Sequence, residues 1–206
     1  MTKEKTQARR EQLARLRAEQ KRKERRGALL MWGVGGLVIV LVVGLVGWYL
    51  IAERSATSLD AVKTFKYIGN EHTSEKVTYK ENPPVGGPHR PAPEWQNCGI
   101  YDKPVANENA VHSLEHGTIW ITYQPNLPAD QVEKLRSVAK SSGDYMLLSP
   151  YEGLPAKIVA TAWGNQLTLD KADDPRLPRF IAKYKNGSDA PEPGALCTGG
   201  VGTPIS

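Results

Sequence analysis

A run of 25 uncharged residues from 28 to 52 constrains the fold of this chain more than any other feature. As a helix it would be roughly 37 Å long at about 1.5 Å per residue, which is enough to span a bilayer. Trp32 lies near one end of the run, and Trp48 and Tyr49 lie near the other, as interfacial aromatic residues do. A signal peptide would have a shorter apolar region of about 7–15 residues and a small-residue cleavage site. The run therefore favours an uncleaved transmembrane helix.

The basic residues are concentrated before this run and indicate its orientation. Residues 1–27 carry eleven Lys or Arg and four Glu, a net charge of +7, whereas the whole chain has +5 and the remainder sums to −2. By the positive-inside rule, the N-terminus lies in the cytoplasm and the C-terminal domain is extracytoplasmic. We therefore predict a single-pass protein of the cell membrane. Because the basic charge belongs to the tail, we expect no nucleic-acid binding by the folded part.

These features divide the chain into five segments. Residues 1–27 are a basic cytoplasmic tail, 28–52 a transmembrane helix and 53–62 a tether. An extracytoplasmic domain covers 63–185, and 186–206 form a tail rich in Gly and Pro. The basic tail fits two interpretations, a solvated helix that touches anionic lipid head groups or a docking helix for a cytoplasmic partner.

The domain mixes strand and helix patterns, which predicts an α+β fold with a small sheet and helices packed on it. A short helix over 107–116, capped by Asn107 or Asn109, is expected before a buried strand at 118–123. The region 81–105 is too rich in Pro and Gly for regular structure, so we expect a long ordered loop. Thioredoxin-like folds share part of this order. The other predicted elements are an edge strand at 64–68, a helix at 129–141, strands at 145–149, 157–163 and 166–169, and a helix at 175–184.

Three of the four histidines, His89, His112 and His116, lie in or just after this loop. On a helix, His112 and His116 are one turn apart and share a face, a spacing that can hold a metal ion. His89 follows a Gly-Gly-Pro turn, which can direct its side chain toward the other two. The set predicts a transition-metal site, with copper favoured and zinc as the alternative. The same histidines can instead be structural, each bonded to backbone carbonyls.

Further candidate ligands would decide which metal binds. Met146 or a free Cys98 would add a soft donor and favour Cu(I), whereas three histidines with Glu115 or water suit zinc or Cu(II). Glu115 is also a candidate for orienting a ligand ring through a hydrogen bond. His72 is interpreted as a surface loop residue outside the site.

The stretch from His112 to His116 fits H-x-x-E-H, the inverted zinc-protease signature. In such enzymes both histidines bind zinc, and the glutamate acts as general base toward a bound water. They also need a long helix around the motif, whereas Gly117 follows it directly here. Zinc hydrolysis is therefore the third-ranked hypothesis for this domain.

The two cysteines, Cys98 and Cys197, predict a disulfide if the domain lies outside the cytoplasm. Such a bond would tie the C-terminal tail to the histidine-containing loop. A free Cys98 thiolate in a metal site is the alternative.

Several short motifs in the domain combine into a specific pattern: Asn82-Pro83-Pro84, Gly87-Pro88-His89, Trp95 with Gly99 and Tyr101, Val111 to Gly117, Ser149-Pro150-Tyr151, and Thr161-Ala162-Trp163-Gly164. Over roughly residues 55–185, this pattern resembles a bacterial family of unknown function, the domain of unknown function 3105 (DUF3105). The family usually has a small polar residue where Val85 stands here. The resemblance implies a membrane-anchored or exported domain, common in actinobacteria, and implies no established activity.

Two hypotheses of different classes precede the hydrolase. The leading one is a membrane-anchored protein that binds copper or zinc through His89, His112 and His116 and handles or delivers the ion. The second is a non-catalytic module for an envelope partner, in which Trp95, Tyr101 and the histidines only pack the loop. The sequence contains no glycine-rich phosphate loop, nucleophile elbow or dinucleotide motif that would indicate other chemistry.

Overall fold

The chain forms two units. The computed structural model describes residues 3–206, with side chains for residue 10 and residues 13–206. The first unit ends at Ser55, and the second is the compact unit Ala56–Ser206.

The first unit consists of one long helix, α1 (Lys3–Ala56). Its segment Leu13–Ala56 has a window of mean hydropathy 2.7 and is long and apolar enough to cross a membrane. The apolar side chains of this segment are exposed; Trp32, for example, is 77% exposed. This is the pattern of a helix whose apolar surface faces lipid. Signal sequences near an N-terminus meet the same criteria of length and composition, so α1 is a candidate membrane anchor.

The second unit is built on one mixed sheet of six strands. The strands are β1 (Lys63–Thr64), β2 (Gly99–Ile100), β3 (Ile119–Tyr123), β4 (Met146–Pro150), β5 (Ile158–Ala162) and β6 (Asn165–Leu169). Their order across the sheet is β1-β6-β5-β3-β4-β2. Strand β4 is parallel to both β3 and β2, whereas β5 is antiparallel to β3 and β6. Parallel neighbours need a crossover, and a helix between β3 and β4 provides it.

Helices cover both faces of this sheet. The three helices of the unit are α2 (Asn107–Glu115), α3 (Ala129–Ser141) and α4 (Arg176–Tyr184). Side chains of α3 and α4 pack on one face together with Ile119, Ile121, Met146 and Leu148. Helix α2 packs on the other face, against Trp120 and Leu147. Successive strand residues point to opposite faces, so β3 and β4 contribute to both cores and are buried throughout.

The predicted fold class is confirmed: an apolar N-terminal helix precedes an α+β domain. The predicted helix at 129–141 has the observed bounds of α3. Two local expectations were wrong. Helix α2 begins after Ala106 without a side-chain cap bond among the described residues, so neither Asn107 nor Asn109 caps it. The predicted edge strand at 64–68 is reduced to the two residues of β1.

The C-terminal residues 186–206 are part of the second unit. Cys98 and Cys197, which are 99 residues apart in sequence, form the predicted disulfide. Beside this bond, the tail is hydrogen bonded to the loop: Asn97 N–H donates to the Val201 carbonyl, and Val201 N–H donates to the Trp95 carbonyl. The Pro/Gly-rich loop therefore owes part of its order to the tail.

We expect that replacing both Cys98 and Cys197 by alanine lowers the free energy of unfolding by up to about 4–5 kcal/mol, because the bond closes a loop of about 100 residues in the unfolded chain. Urea unfolding of the full chain in detergent, followed by tryptophan fluorescence, measures the change. The wild-type protein in reducing agent is the matched control and should show the same lowered midpoint. A wild-type midpoint that is insensitive to reductant would show that the bond does not stabilise the fold.

Candidate metal centre

Helix α2 positions two of the site side chains. Seven of its nine residues are buried. Ala110, Val111 and Leu114 anchor one side of the helix to the sheet. His112 and Glu115 are three residues apart and therefore neighbours on the helix surface. Both are carried into the interior, with His112 only 2% exposed and Glu115 fully buried.

A turn at Gly87 positions His89. Gly87 has φ 102°, a left-handed conformation that glycine adopts at low cost. Its carbonyl accepts a hydrogen bond of 2.8 Å from His89 Nδ1. This hydrogen bond orients the ring so that the other nitrogen, Nε2, faces Glu115 and lies 2.9 Å from its Oε2. A backbone hydrogen bond thus fixes which His89 nitrogen faces the site, as is usual for metal-binding histidines.

A one-residue parallel bridge brings His72 to the same place. His72 pairs with His89, and the bridge consists of Thr73 N–H to the His89 carbonyl at 2.7 Å and His89 N–H to the Glu71 carbonyl at 2.9 Å. His72 Nε2 then lies 3.7 Å from Glu115 Oε2. The sequence analysis interpreted His72 as a surface residue outside the site. Its side chain is indeed 37% exposed, but its ring joins the cluster.

His72, His89, His112 and Glu115 form what we call the four-residue cluster. One ligand atom from each lies within 4.8 Å of all the others. With bonds of about 2.0–2.2 Å, two ligands of a tetrahedral zinc ion are roughly 3.3 Å apart. Small side-chain movements would therefore let the four atoms enclose a single ion.

Glu115 supplies a negative charge to the cluster. Burial of this carboxyl raises its pKa, but hydrogen bonds from His89 and from the Asn70 N–H outweigh burial, and its pKa lies below the ordinary value. Asn70 N–H donates to Oε1 at 2.6 Å, so both carboxylate oxygens have a partner. The result is a buried carboxylate that remains ionised.

His112 is held as a neutral ring. Burial and, to a lesser extent, the neighbouring rings of His116 and His89 lower its pKa to about 4, against opposing contributions from the Arg90 backbone and Glu115. His112 Nδ1 is buried and has no hydrogen-bond partner among the described residues. A neutral imidazole with an unpartnered nitrogen is the form in which histidine binds a metal.

His116 lies beside the cluster but outside it. Its Nδ1 donates to the Leu196 carbonyl at 2.6 Å, and its Nε2 lies 3.8 Å from Glu192 Oε2. The His112 and His116 ring centroids are 4.6 Å apart. Helix α2 ends at Glu115, so His116 follows the last helical residue and its ring is bonded to the tail. The structure brings together two of the three predicted histidines, His89 and His112, and replaces His116 by His72.

The two predicted soft ligands are elsewhere. Met146 is buried in the core on the opposite face of the sheet from α2. Cys98 is bonded to Cys197 and is not a free thiolate. The donor set of the cluster therefore consists of imidazole nitrogens and a carboxylate.

The H-x-x-E-H stretch does not have the geometry of a zinc protease. Its two histidines do not share one ligand set, because only His112 belongs to the four-residue cluster. Its glutamate lies among the ligand atoms and bonds to His89 and Asn70, where a general base would need access to water. Two surface clefts of about 580 and 570 Å³ are lined by residues outside both the H-x-x-E-H stretch and the four-residue cluster.

His72 is the site residue that sequence reasoning missed. No local periodicity marks it, since a bridge of one residue leaves no alternating pattern. The signal that could have identified it is the clustering of histidines in the sequence, since all four histidines of the chain lie between residues 72 and 116.

We expect the metal-free protein to lose stability on acidification because of His112. Its folded pKa of about 4 is below the ordinary 6.5, so the unfolded chain binds the proton more readily between these values. This contribution to stability is fully present above pH 6.5 and is lost as the pH falls toward 4. From pH 7 to pH 5, the free energy of unfolding should fall by about 2 kcal/mol more in wild type than in a His112→Gln variant.

Urea unfolding with chelator present, at pH 7 and pH 5, measures this difference. The comparison with the variant cancels the contributions of the other titratable groups to the pH dependence, because both proteins contain them. Parallel pH dependences in the two proteins would contradict the neutral assignment of His112.

Comparisons with known proteins place this site within a family. A family model described as "Protein of unknown function (DUF3105)" matches residues 71–199, more than half of the chain and the region that holds all four histidines. A second model, described as an inhibitor of host cell division protein domain, matches residues 7–67, a shorter segment composed mainly of α1. Among curated proteins and solved structures, no match was found. The match over residues 71–199 confirms the resemblance seen in the sequence motifs, and the chain belongs to the DUF3105 family.

Proposed function

We propose that this protein binds one divalent transition-metal ion, Cu(II) or Zn(II), at the four-residue cluster. Its role would be to handle or deliver that ion at the outer face of the membrane. The observation that carries the proposal is the convergence of three imidazoles and one carboxylate within 4.8 Å. Buried polar groups normally satisfy each other, so a cluster with an orphaned nitrogen on His112 needs a further partner.

The surroundings of the cluster support ligand roles for its members. His89 is oriented by the Gly87 carbonyl, and Glu115 is held by the Asn70 N–H. These outer hydrogen bonds fix ring tautomer and carboxylate direction, as they do around known metal sites. In the metal-bound form, His89 Nε2 would bind the ion beside Glu115 Oε2.

The donor types indicate which ion is preferred. Imidazole and carboxylate suit zinc and Cu(II), whereas Cu(I) is selected by thiolate and thioether sulfur. Met146 is on the far face of the sheet, so nothing in the cluster favours Cu(I). By the Irving–Williams order, Cu(II) should bind more tightly than Zn(II) to the same ligands.

The proposed location is the outer side of the cell membrane. The charges before the apolar run favour a cytoplasmic N-terminus. A disulfide between Cys98 and Cys197 fits an oxidising compartment. Together these features support an anchored extracytoplasmic domain, in which α1 remains as a membrane span.

A second candidate function is the non-catalytic envelope module. It is favoured by one observation, the 2.9 Å contact between His89 Nε2 and Glu115, which is satisfied without a metal when the ring is protonated. In that case the cluster is a buried ion pair that orders the loop for a protein partner. Metal stoichiometry separates the two candidates.

We expect the full chain in detergent to retain about one Cu(II) or Zn(II) per chain after loading and desalting, measured by elemental mass spectrometry. In a His72→Ala variant, the affinity should fall by at least about 100-fold, since even the loss of an outer hydrogen bond costs 10–100-fold. His72 is the informative position, because its side chain is 37% exposed and its removal leaves the buried pair intact.

Glu71→Gln is the matched control for His72→Ala. It changes an exposed neighbour whose backbone, and not its side chain, bonds to His89. The control should bind metal as wild type does. Full retention of metal by His72→Ala would contradict the ligand set, and the absence of metal in wild type would favour the envelope module.

The location has a separate test. A C-terminal alkaline phosphatase fusion should be active in cells, because that enzyme needs disulfides that form outside the cytoplasm. The fusion should also stay in the membrane fraction after a carbonate wash. An inactive fusion would indicate the opposite orientation in the membrane. Release of the active fusion into the medium would indicate a cleaved signal peptide.

A further inference from the structure

The histidine outside the cluster has an unusual environment. His116 is nearly buried, and its Nδ1 proton is committed to the Leu196 carbonyl. Its other ring nitrogen, Nε2, lies 3.8 Å from a carboxylate oxygen of Glu192. This separation is close to the roughly 3.3 Å between two ligands of one tetrahedral ion, so a cation could bind to both atoms.

His116 also connects the surface to the cluster. Glu192 is 44% exposed, whereas the side chain of His116 is 4% exposed. From His116, the next ring inward is His112, with centroids 4.6 Å apart, and the His112 and His89 centroids are 5.0 Å apart. Imidazoles thus follow one another from the exposed carboxylate to the buried ligands.

Trp95 shields this row of rings from solvent. Its ring lies 5.7 Å from that of His112 and 5.3 Å from that of His116, and its own Nε1 has no partner among the described residues. The His112 and His116 rings are therefore buried against an aromatic side chain.

The opposite side of the cluster is closed by backbone hydrogen bonds. On either side of His72, Thr73 N–H donates to the His89 carbonyl at 2.7 Å, and His89 N–H donates to the Glu71 carbonyl at 2.9 Å. Asn70 N–H donates to Glu115 at 2.6 Å beside it. The side of His116 has backbone hydrogen bonds of its own, from Glu192 N–H to the Glu115 carbonyl at 3.0 Å and from Gly194 N–H to the His116 carbonyl at 3.1 Å. Because the His72 side chain is 37% exposed, the rates of variants on the side of His116 decide between the two sides.

We propose that Glu192 and His116 form an outer, transient position for the same divalent ion, and that the ion passes from there to His112 and the cluster. This inference rests on the proposed metal binding at the four-residue cluster. It assigns a role in uptake and release to a histidine and a carboxylate that the final ligand set does not use.

The inference has a kinetic signature. A residue on the route alters the barrier that is crossed in both directions. Its removal therefore slows uptake and release by the same factor and leaves their ratio, the dissociation constant, nearly unchanged. A residue that holds the bound ion would instead change the dissociation constant.

The experiment mixes the full chain in detergent with Cu(II) and follows the quenching of tryptophan fluorescence by stopped flow; excess EDTA then measures release. Glu192→Gln removes the exposed carboxylate. His116→Asn retains a donor for the Leu196 carbonyl and removes Nε2. Each variant should slow uptake and release by about tenfold, the lower range of electrostatic effects on association rates.

Glu133→Gln is the control, because it removes the same charge from a 66% exposed carboxylate on α3. Its rates should equal those of wild type. If His116→Asn does not fold, the exposed Glu192→Gln variant decides alone.

Three outcomes would overturn the inference. Wild-type rates in both route variants, with one ion bound, would place uptake at the side of His72 and leave the proposed function intact. A slowing equal to that of Glu133→Gln would be an effect of net charge. If wild type binds no Cu(II), the proposed function and this inference fail together, and the stoichiometry shows it.

Discussion

The burial of the Glu115 carboxylate is the constraint on which the site depends. An ionised carboxylate removed from water costs several kcal/mol unless hydrogen bonds and opposite charge compensate. Here the compensation comes from the His89 ring and the Asn70 N–H, which are distant from Glu115 in sequence. The segment 70–89, which carries these two groups and includes the start of the loop, cannot leave α2 without exposing an unpaired charge. The site and the order of the loop are therefore a single structural feature.

The chain is also packed tightly around Glu115. A Cβ on Gly69 would lie 2.9 Å from Glu115 Oε1 and 2.4 Å from the Pro191 side chain, so only glycine fits there. Glu192 N–H donates to the Glu115 carbonyl at 3.0 Å, which closes the tail over the end of α2. The disulfide holds the same tail farther on. Residues 186–206 thus complete the wall of the site, although their composition alone indicates only irregular structure.

The sequence predicts the scaffold better than the site, for a physical reason. The stripe of apolar residues on α3 and the β-branched runs of β3 and β5 are local patterns, and local patterns fix helices and strands. The contact of His72 with His89 is a single bridge between distant residues and leaves no such pattern. The i, i+4 spacing of His112 and His116 was a real signal, but α2 ends between them and the tail holds the second ring. Met146 is not near the cluster, because alternate residues of β4 point to opposite faces of the sheet and Met146 points to the core under α3.

The proposed metal-bound state would differ from the metal-free one mainly in what lies between His89 and Glu115. Without a metal, both His89 nitrogens face oxygen atoms: Nδ1 donates to the Gly87 carbonyl, and Nε2 lies 2.9 Å from Glu115 Oε2. Under the proposed function, a divalent ion would bind to both of these atoms and would compensate the buried charge of Glu115. His112 needs no proton to be removed, since its lowered pKa of about 4 keeps the ring neutral at pH 7. Under the proposed function, the folding of the chain around Glu115 would already organise the ligands, so the contacts that hold the buried carboxylate would also prepare the proposed metal site.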